Sequence, residues 1–303
     1  MTPRPHHCTR RATLLIVGCG DIGLRVLRLL RGRWRVLALS ATPQRLPVLR
    51  AAGAWPVAGD LDRPAGLGRL TELARLADAV LHLAPPPPAG DTDPRTAALL
   101  RALGGCRRLR RLVYASTTGV YGDCGGARIT ETRPPAPQTA RAQRRVDAEA
   151  QLRRFGRRSG VAVSVLRIPG IYALDRAGGD PRERLRRGSP VLAAEDDVYT
   201  NHVYADDLTR ACAAALWRGA PQRIYHACDD SAMLMGDHFD RVAALSGLPR
   251  PPRISRAQAA VQMSALQLSF LGESRRLDNR RLKRELRLRL RYPTVAAAFA
   301  AGG

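Results

Sequence analysis

Thr13-Leu14-Leu15-Ile16-Val17-Gly18-Cys19-Gly20-Asp21-Ile22-Gly23 decides the fold class. It opens as a continuous apolar run, the mark of a short strand buried on both faces of a parallel sheet. Glycines then follow at G-x-G-x-x-G spacing, and Leu24–Leu30 continues with helical spacing. A strand, a glycine turn and a helix start in that order make a seat for a diphosphate. Gly18 permits the tight turn. Gly20 has no Cβ, so an anion reaches the backbone. Gly23 lets the helix pack on the strand. The free N–H groups and positive dipole end of the helix then face the phosphate. Gly18, Gly20, Asp21, Ile22 and Gly23 are therefore the first expected cofactor-binding residues.

Outward from this start, Arg35–Leu39, Ala79–Leu83, Leu112–Ala115 and Val161–Ile168 read as strands. Helical patterns lie between them at Leu67–Leu76, Arg95–Leu103 and Thr139–Arg158. This alternation predicts an α/β protein with a doubly wound, Rossmann-type parallel sheet. Pro85–Pro88 follows a strand and must be loop. Further on, Asp206–Trp217, Met233–Leu245 and Leu277–Leu286 read as helices, and Arg223–Ala227 as a strand. Gly178–Pro190 reads as a connector. Leu286–Arg291 alternates Leu and Arg, which predicts a half-buried strand with a basic outer face.

The end of the second strand bears on the dinucleotide. An NAD site usually carries an acid there for the ribose 2′-OH. Here Ser40-Ala41-Thr42-Pro43-Gln44-Arg45 has none. Ser40, Thr42 and Arg45 suit a 2′-phosphate, so NADP is favoured over NAD.

The chain has 303 residues, 50 Lys+Arg and 26 Asp+Glu, a formal charge of +24. Lys283 is the single lysine, and the arginines spread over every segment. A GC-rich coding bias accounts for that pattern. Aromatics make up only 5%, and no zinc-finger or RNA-binding signature is present, which disfavours a nucleic-acid partner. Cys8, Cys19, Cys106, Cys124, Cys212 and Cys228 form no C-x-x-C pair and read as reduced thiols. No metal site is expected, His6-His7-Cys8 included. No apolar run nears the ~18 residues of a membrane span, and Met1–Arg11 is not followed by an apolar stretch of signal-peptide length. A cytoplasmic protein without membrane contact is the expectation.

Several further segments carry a resemblance: Gly59-Asp60-Leu61; Leu83-Ala84-Pro85; Tyr114-Ala115-Ser116-Thr117-Thr118-Gly119-Val120-Tyr121-Gly122; Arg167-Ile168-Pro169-Gly170-Ile171-Tyr172; and Asn201-His202-Val203-Tyr204-Ala205-Asp206-Asp207-Leu208. With the glycine motif, they make the chain resemble the extended, epimerase/dehydratase-like branch of the short-chain dehydrogenase/reductase superfamily over nearly its whole length. The resemblance implies Asp60 and Leu61 near the adenine, and Ala84 and Pro85 beside the cofactor. It places Pro169 near the nicotinamide and Thr117 in the place of the catalytic Ser/Thr. It also implies a dinucleotide-binding domain over residues 1–177 and a smaller substrate-binding region over 178–303, with 200–228 returning to the first.

One departure stands out. The family's Y-x-x-x-K pair precedes an Ala-Glu on the long helix. Here Arg141 stands in the Tyr position and Arg145 in the Lys position, before Ala148-Glu149. The i, i+4 spacing survives, so both lie on one face. Arginine stays protonated and cannot act as a general base. Arg141 would bind an anionic substrate with its planar fork, and Arg145 would hold ribose hydroxyls. Tyr121 and Tyr172 are the nearest replacements for the proton role by motif. Two functions follow as expectations. The first is an NAD(P)-dependent oxidoreductase or epimerase/dehydratase-like enzyme acting on a small, anionic substrate through Thr117, Arg141 and Arg145. The second is a non-catalytic NADP-binding redox sensor.

Overall fold

The computed structural model describes residues 11–63 and 67–302. His6-His7-Cys8 lies outside them. The chain runs β1 (Thr13–Val17), α1 (Asp21–Leu29), β2 (Arg35–Ser40), α2 (Leu46–Ala51), β3 (Trp55–Ala58), α3 (Leu67–Ala74), β4 (Ala79–His82), α4 (Pro94–Leu103) and β5 (Arg111–Thr117). It continues with β6 (Arg128–Ile129), α5 (Ala140–Ser159), β7 (Ala162–Ile168), β8 (Gly170–Tyr172), α6 (Pro181–Arg186), β9 (Val191–Leu192), β10 (Tyr199–Thr200), β11 (His202–Tyr204), α7 (Ala205–Arg218) and β12 (Arg223–His226). Short strands and helices complete the C-terminal part.

The central sheet has seven strands in the order β12-β7-β5-β4-β1-β2-β3. All its pairings are parallel. Every strand therefore ends at the same edge, and the strand order reverses beside β1, which is where such sheets bind ligands. The predicted doubly wound sheet is the observed one.

Alternation along β1 divides the core. Leu14 and Ile16 pack with Val26, Leu27, Leu208 and Leu216 of α1 and α7. Leu15 and Val17 pack with Val80, Leu99, Leu112 and Leu152 on the opposite face. Both faces of the strand are covered, so an unbroken apolar run is what it needs. Local chemistry sets the helix ends. The Asp93 side chain accepts hydrogen bonds from the N–H groups of Arg95 and Thr96 and starts α4, with Pro94 in the first turn. Thr139 caps α5, and Gly160, in a left-handed conformation, ends it.

The structure corrects three sequence expectations. Leu286–Arg291 is not a strand. Leu286 and Leu288 are buried in the core while Arg287 and Arg289 are exposed, so the burial alternation is real. The chain makes no strand pairing there, and Arg287 has φ 50°. The helix read at Leu277–Leu286 is shorter, Arg280–Glu285, because Arg276–Leu277 pairs with β6. The connector at Gly178–Pro190 contains α6, which Asp180 caps. The described cysteines, Cys19, Cys106, Cys124, Cys212 and Cys228, are free thiols. No helix among the described residues is long and apolar enough to cross a membrane, and no group of three or more His, Cys, Asp or Glu among them is placed to hold a metal.

Candidate functional site

Two clefts open at the carboxyl edge of the sheet. The first, about 330 Å³, lies over the ends of β1, β2 and β4. It brings together Gly18, Gly20, Ser40, Thr42, Arg45, Asp60, Leu61, Ala84 and Pro85 of the expected cofactor set. Gly18 has φ +82°, and a Cβ there would lie 2.5 Å from the Ala84 backbone nitrogen, so only glycine fits. Gly20 differs: nothing lies within 4 Å of where its Cβ would be. It is the N-cap of α1 and makes no side-chain capping bond, so the first-turn N–H groups remain free of side-chain partners. Gly23 is buried, and a Cβ there would lie 3.0 Å from the Cys19 sulfur. Its place is helix packing rather than ligand contact. Asp21 and Ile22 begin α1 beside the cleft without lining it.

The far wall of this cleft is made by the turn after β2. The Ser40 hydroxyl accepts a hydrogen bond from the Thr42 N–H at 3.2 Å. That bond curls the chain and sends Arg45 inward, where its buried Nε has no hydrogen-bond partner among the described residues. Burial pushes the Cys19 thiol up to about 11, and the charge of Arg45 opposes that shift. Opposite, Asp60 Oδ1 accepts the N–H of Asp62 at 3.0 Å. Arg95 closes the rim by donating to the Pro85 carbonyl at 3.0 Å. An orphaned guanidinium nitrogen, an open glycine and free helix N–H groups fit a dinucleotide's phosphates.

The second cleft, about 740 Å³, lies over the ends of β5 and β7. Thr117, Arg141 and Pro169 line it, together with Arg176, Arg184, His202, Glu273 and Arg275. Thr117 ends β5, and its Oγ1 accepts the Gly119 N–H at 3.2 Å. Arg141 lays its guanidinium over the Phe270 ring at 4.6 Å. Burial lowers its pKa, and the Glu273 carboxylate opposes that. Burial also pushes the His202 imidazole down to about 4, so it is neutral at physiological pH.

Arg145 does not line either cleft. Its Nη1 donates to the Ala115 carbonyl at 2.6 Å and to the Tyr114 hydroxyl at 3.0 Å. Tyr121 and Tyr172 do not line them either. Tyr121 is fully buried with its hydroxyl 2.6 Å from His226 Nε2. Tyr172 is buried edge-on against His202 and His238. Neither tyrosine is placed to meet a substrate in the cleft.

Glu273 is the residue that sequence reading missed. Its side chain is nearly buried, and Oε2 accepts from Arg275 Nη2 at 2.8 Å. Arg275 in turn donates to the Gly122 carbonyl at 2.8 Å, which ties the pair to the turn after β5. A Cβ built on Gly119 would lie 3.6 Å from Thr117 Oγ1 and 3.7 Å from Glu273 Oε2. A hydroxyl and a carboxylate thus converge above one glycine.

A family model, the NAD dependent epimerase/dehydratase family, matches residues 14–228. A solved protein of unknown function from Silicibacter pomeroyi is 30% identical, covers 96% of this chain and 97% of its own, and superposes with a TM-score of 0.82. A UDP-glucuronic acid 4-epimerase from Bacillus cereus, solved with UDP-glucuronic acid and NAD, shares the fold at 19% identity and a TM-score of 0.73, over 94% of this chain and 95% of its own. The YeeZ protein of Escherichia coli K12 is 26% identical over 186 residues, which is 61% of this chain and only 60% of YeeZ. On the strength of the family match, which spans more than half of the sequence, the chain belongs to the NAD dependent epimerase/dehydratase family.

Proposed function

We propose that this protein is an NAD(P)-dependent oxidoreductase or epimerase/dehydratase-type enzyme of the cytoplasm that acts on an anionic substrate, with NADP as its cofactor and Glu273 in the proton role. Residues 1–177, with 200–228, form the dinucleotide-binding part in this reading, and the rest of 178–303 forms the substrate-binding part. The observation that carries it is the open N terminus of α1 and, in the same cleft, the Arg45 Nε, which has no partner among the described residues. Gly18 and Gly20 would take the diphosphate. Thr42 and Arg45 would take a 2′-phosphate, and Asp60 and Leu61 the adenine.

A bound nicotinamide supplies hydride acceptance and return. The chain's own residues do the rest. Thr117 hydrogen-bonds the reacting oxygen. The Glu273 carboxylate accepts the proton of that hydroxyl as the O–H bond breaks, and returns it in the reverse direction. Arg275 holds Glu273 in place. Arg141, permanently charged, grips an anionic group instead of moving a proton. Arg184 adds a second guanidinium to the cleft, stacked on Phe239 at 4.7 Å. A nucleotide sugar, the kind of ligand held by the Bacillus cereus epimerase, is the substrate class we favour. The arginine at the tyrosine position supports a second reading, a non-catalytic sensor of the cofactor's redox state.

Conversion of UDP-glucose, UDP-glucuronic acid and dTDP-glucose in the presence of NADP or NAD, read by chromatography of the sugar nucleotides together with any net cofactor reduction, separates the two. Turnover that falls about 10²–10⁴-fold in Glu273→Gln, with unchanged NADPH affinity and melting temperature, supports the enzyme. Unchanged turnover in that variant contradicts the assignment of Glu273. Tight NADPH binding without turnover on any nucleotide sugar favours the sensor.

A further inference from the structure

We infer that Arg176 is a second phosphate-binding residue, delivered from the C-terminal side onto the N terminus of α1, where it exchanges the Asp21 carboxylate for the cofactor's diphosphate. The inference rests on the dinucleotide reading above and adds a residue outside every motif used for it. Asp21 is the first residue of α1. Its carboxylate therefore sits at the N terminus of α1, one residue from Gly20 of the first cleft. Two guanidiniums meet it. Arg25 Nε lies 3.2 Å from Oδ1, and Arg176 Nε lies 3.1 Å from Oδ2.

The two arginines are not equivalent. Arg25 is held in the fold by two further carboxylates, Asp206 and Asp175, each at 2.7 Å. It remains paired with Asp21 whatever Arg176 does. Arg176 has one further contact, from Nη1 to the Ile171 carbonyl at 3.0 Å, and its Nη2 has no partner among the described residues. The Arg176–Asp21 pair is 28% and 38% exposed, and a pair so open to water contributes little to stability. Releasing it leaves Asp21 neutralised by Arg25 and frees a planar fork beside uncapped helix N–H groups. A diphosphate offers that fork more acceptor oxygens than a carboxylate does. Because Arg25 pins the adjacent Asp175, the loop bearing Arg176 stays against α1 during the exchange. Arg176 also lines the 740 Å³ cleft, so the side chain that grips the cofactor borders the substrate.

The test is calorimetric binding of adenosine, ADP and NADP to the full-length protein, to Arg176→Gln and to Asp21→Asn. We expect Arg176→Gln to weaken ADP and NADP about tenfold and to leave adenosine unchanged, since adenosine carries no phosphate. Asp21→Asn should bind ADP at least as tightly as wild type, because it frees Arg176 without removing it. Thermal unfolding without ligand checks that both variants are folded. Wild-type ADP affinity in Arg176→Gln overturns the inference and leaves the dinucleotide reading intact. Weaker ADP binding by Asp21→Asn overturns the exchange. If wild-type protein binds neither ADP nor NADP, the dinucleotide reading fails and this inference falls with it.

Discussion

Gly18 and Gly20 lie two residues apart and do different work. At Gly18 the backbone is left-handed, and an added Cβ would strike Ala84. The conformation alone costs an L-residue about 1–2 kcal/mol, and the clash adds to it. At Gly20 there is room for a Cβ, and in the proposed reading that room takes the diphosphate. Gly18→Ala should therefore lower the melting temperature. Gly20→Ala should melt like wild type yet lose NADPH binding. Fluorescence titration together with thermal unfolding checks this, and a Gly20→Ala variant that binds NADPH normally would contradict the phosphate seat. The tight turn at Gly18 was legible in the sequence, since the glycine spacing and the flanking strand and helix define it. Glu273 was not. It stands more than 150 residues from Thr117, and the pairing of Arg276–Leu277 with β6, with the bonds of Ser274 and Arg275 to the turn after β5, carries it to the site.

The helix α5 is joined to β5 and β7 by one buried carboxylate. Glu149 accepts the Ser116 hydroxyl at 2.6 Å, and Arg167 Nε and Nη2 at 3.1 Å and 2.7 Å. The Arg167 and Glu149 side chains are 1% and 4% exposed. A guanidinium stranded there without its partner is costly. Glu149→Ala should destabilise the fold by about 3–5 kcal/mol, read by urea denaturation. A loss under about 1 kcal/mol, the value of an exposed pair, would contradict the role given to it. Most long elements were legible because apolar runs and helical spacing mark them. The short C-terminal helices Arg256–Gln262 and Ala265–Leu271 were not read, although Ser255-Gln258 and Ser264-Gln267 form capping boxes and carry the S-x-x-Q signature of a helix start. The Leu286–Arg291 alternation misled because a period of two reports burial on one side, not a neighbouring strand.

At the scale of the molecule, three buried histidines and the half-buried His202 tie stability to pH. Burial pushes His82 and His226 down to about 3, His202 to about 4, and His238 well below its ordinary value. Below about pH 6.5 the unfolded chain binds protons that these folded imidazoles refuse, so stability falls as pH falls towards 4. Asp229 opposes this. Burial pushes it up to about 7, so the folded chain holds its proton from about pH 7 down through the ordinary carboxylate range, and that contribution grows on acidification. Four imidazoles outweigh one carboxyl, and the melting temperature should drop between about pH 7 and pH 5. A flat or rising melting temperature over that span would contradict the burial of the imidazoles. With its clefts at one edge, the parallel sheet makes dinucleotide binding the property on which the proposed function turns. The most direct test is thermal unfolding with NADP, NADPH, NAD and NADH in parallel. At about 100 times the dissociation constant a bound ligand adds about 2.7 kcal/mol. A clear rise in melting temperature is expected with NADP and NADPH, smaller with NAD and NADH and reduced in Arg45→Ala. No rise with any of the four dinucleotides would contradict the proposed function.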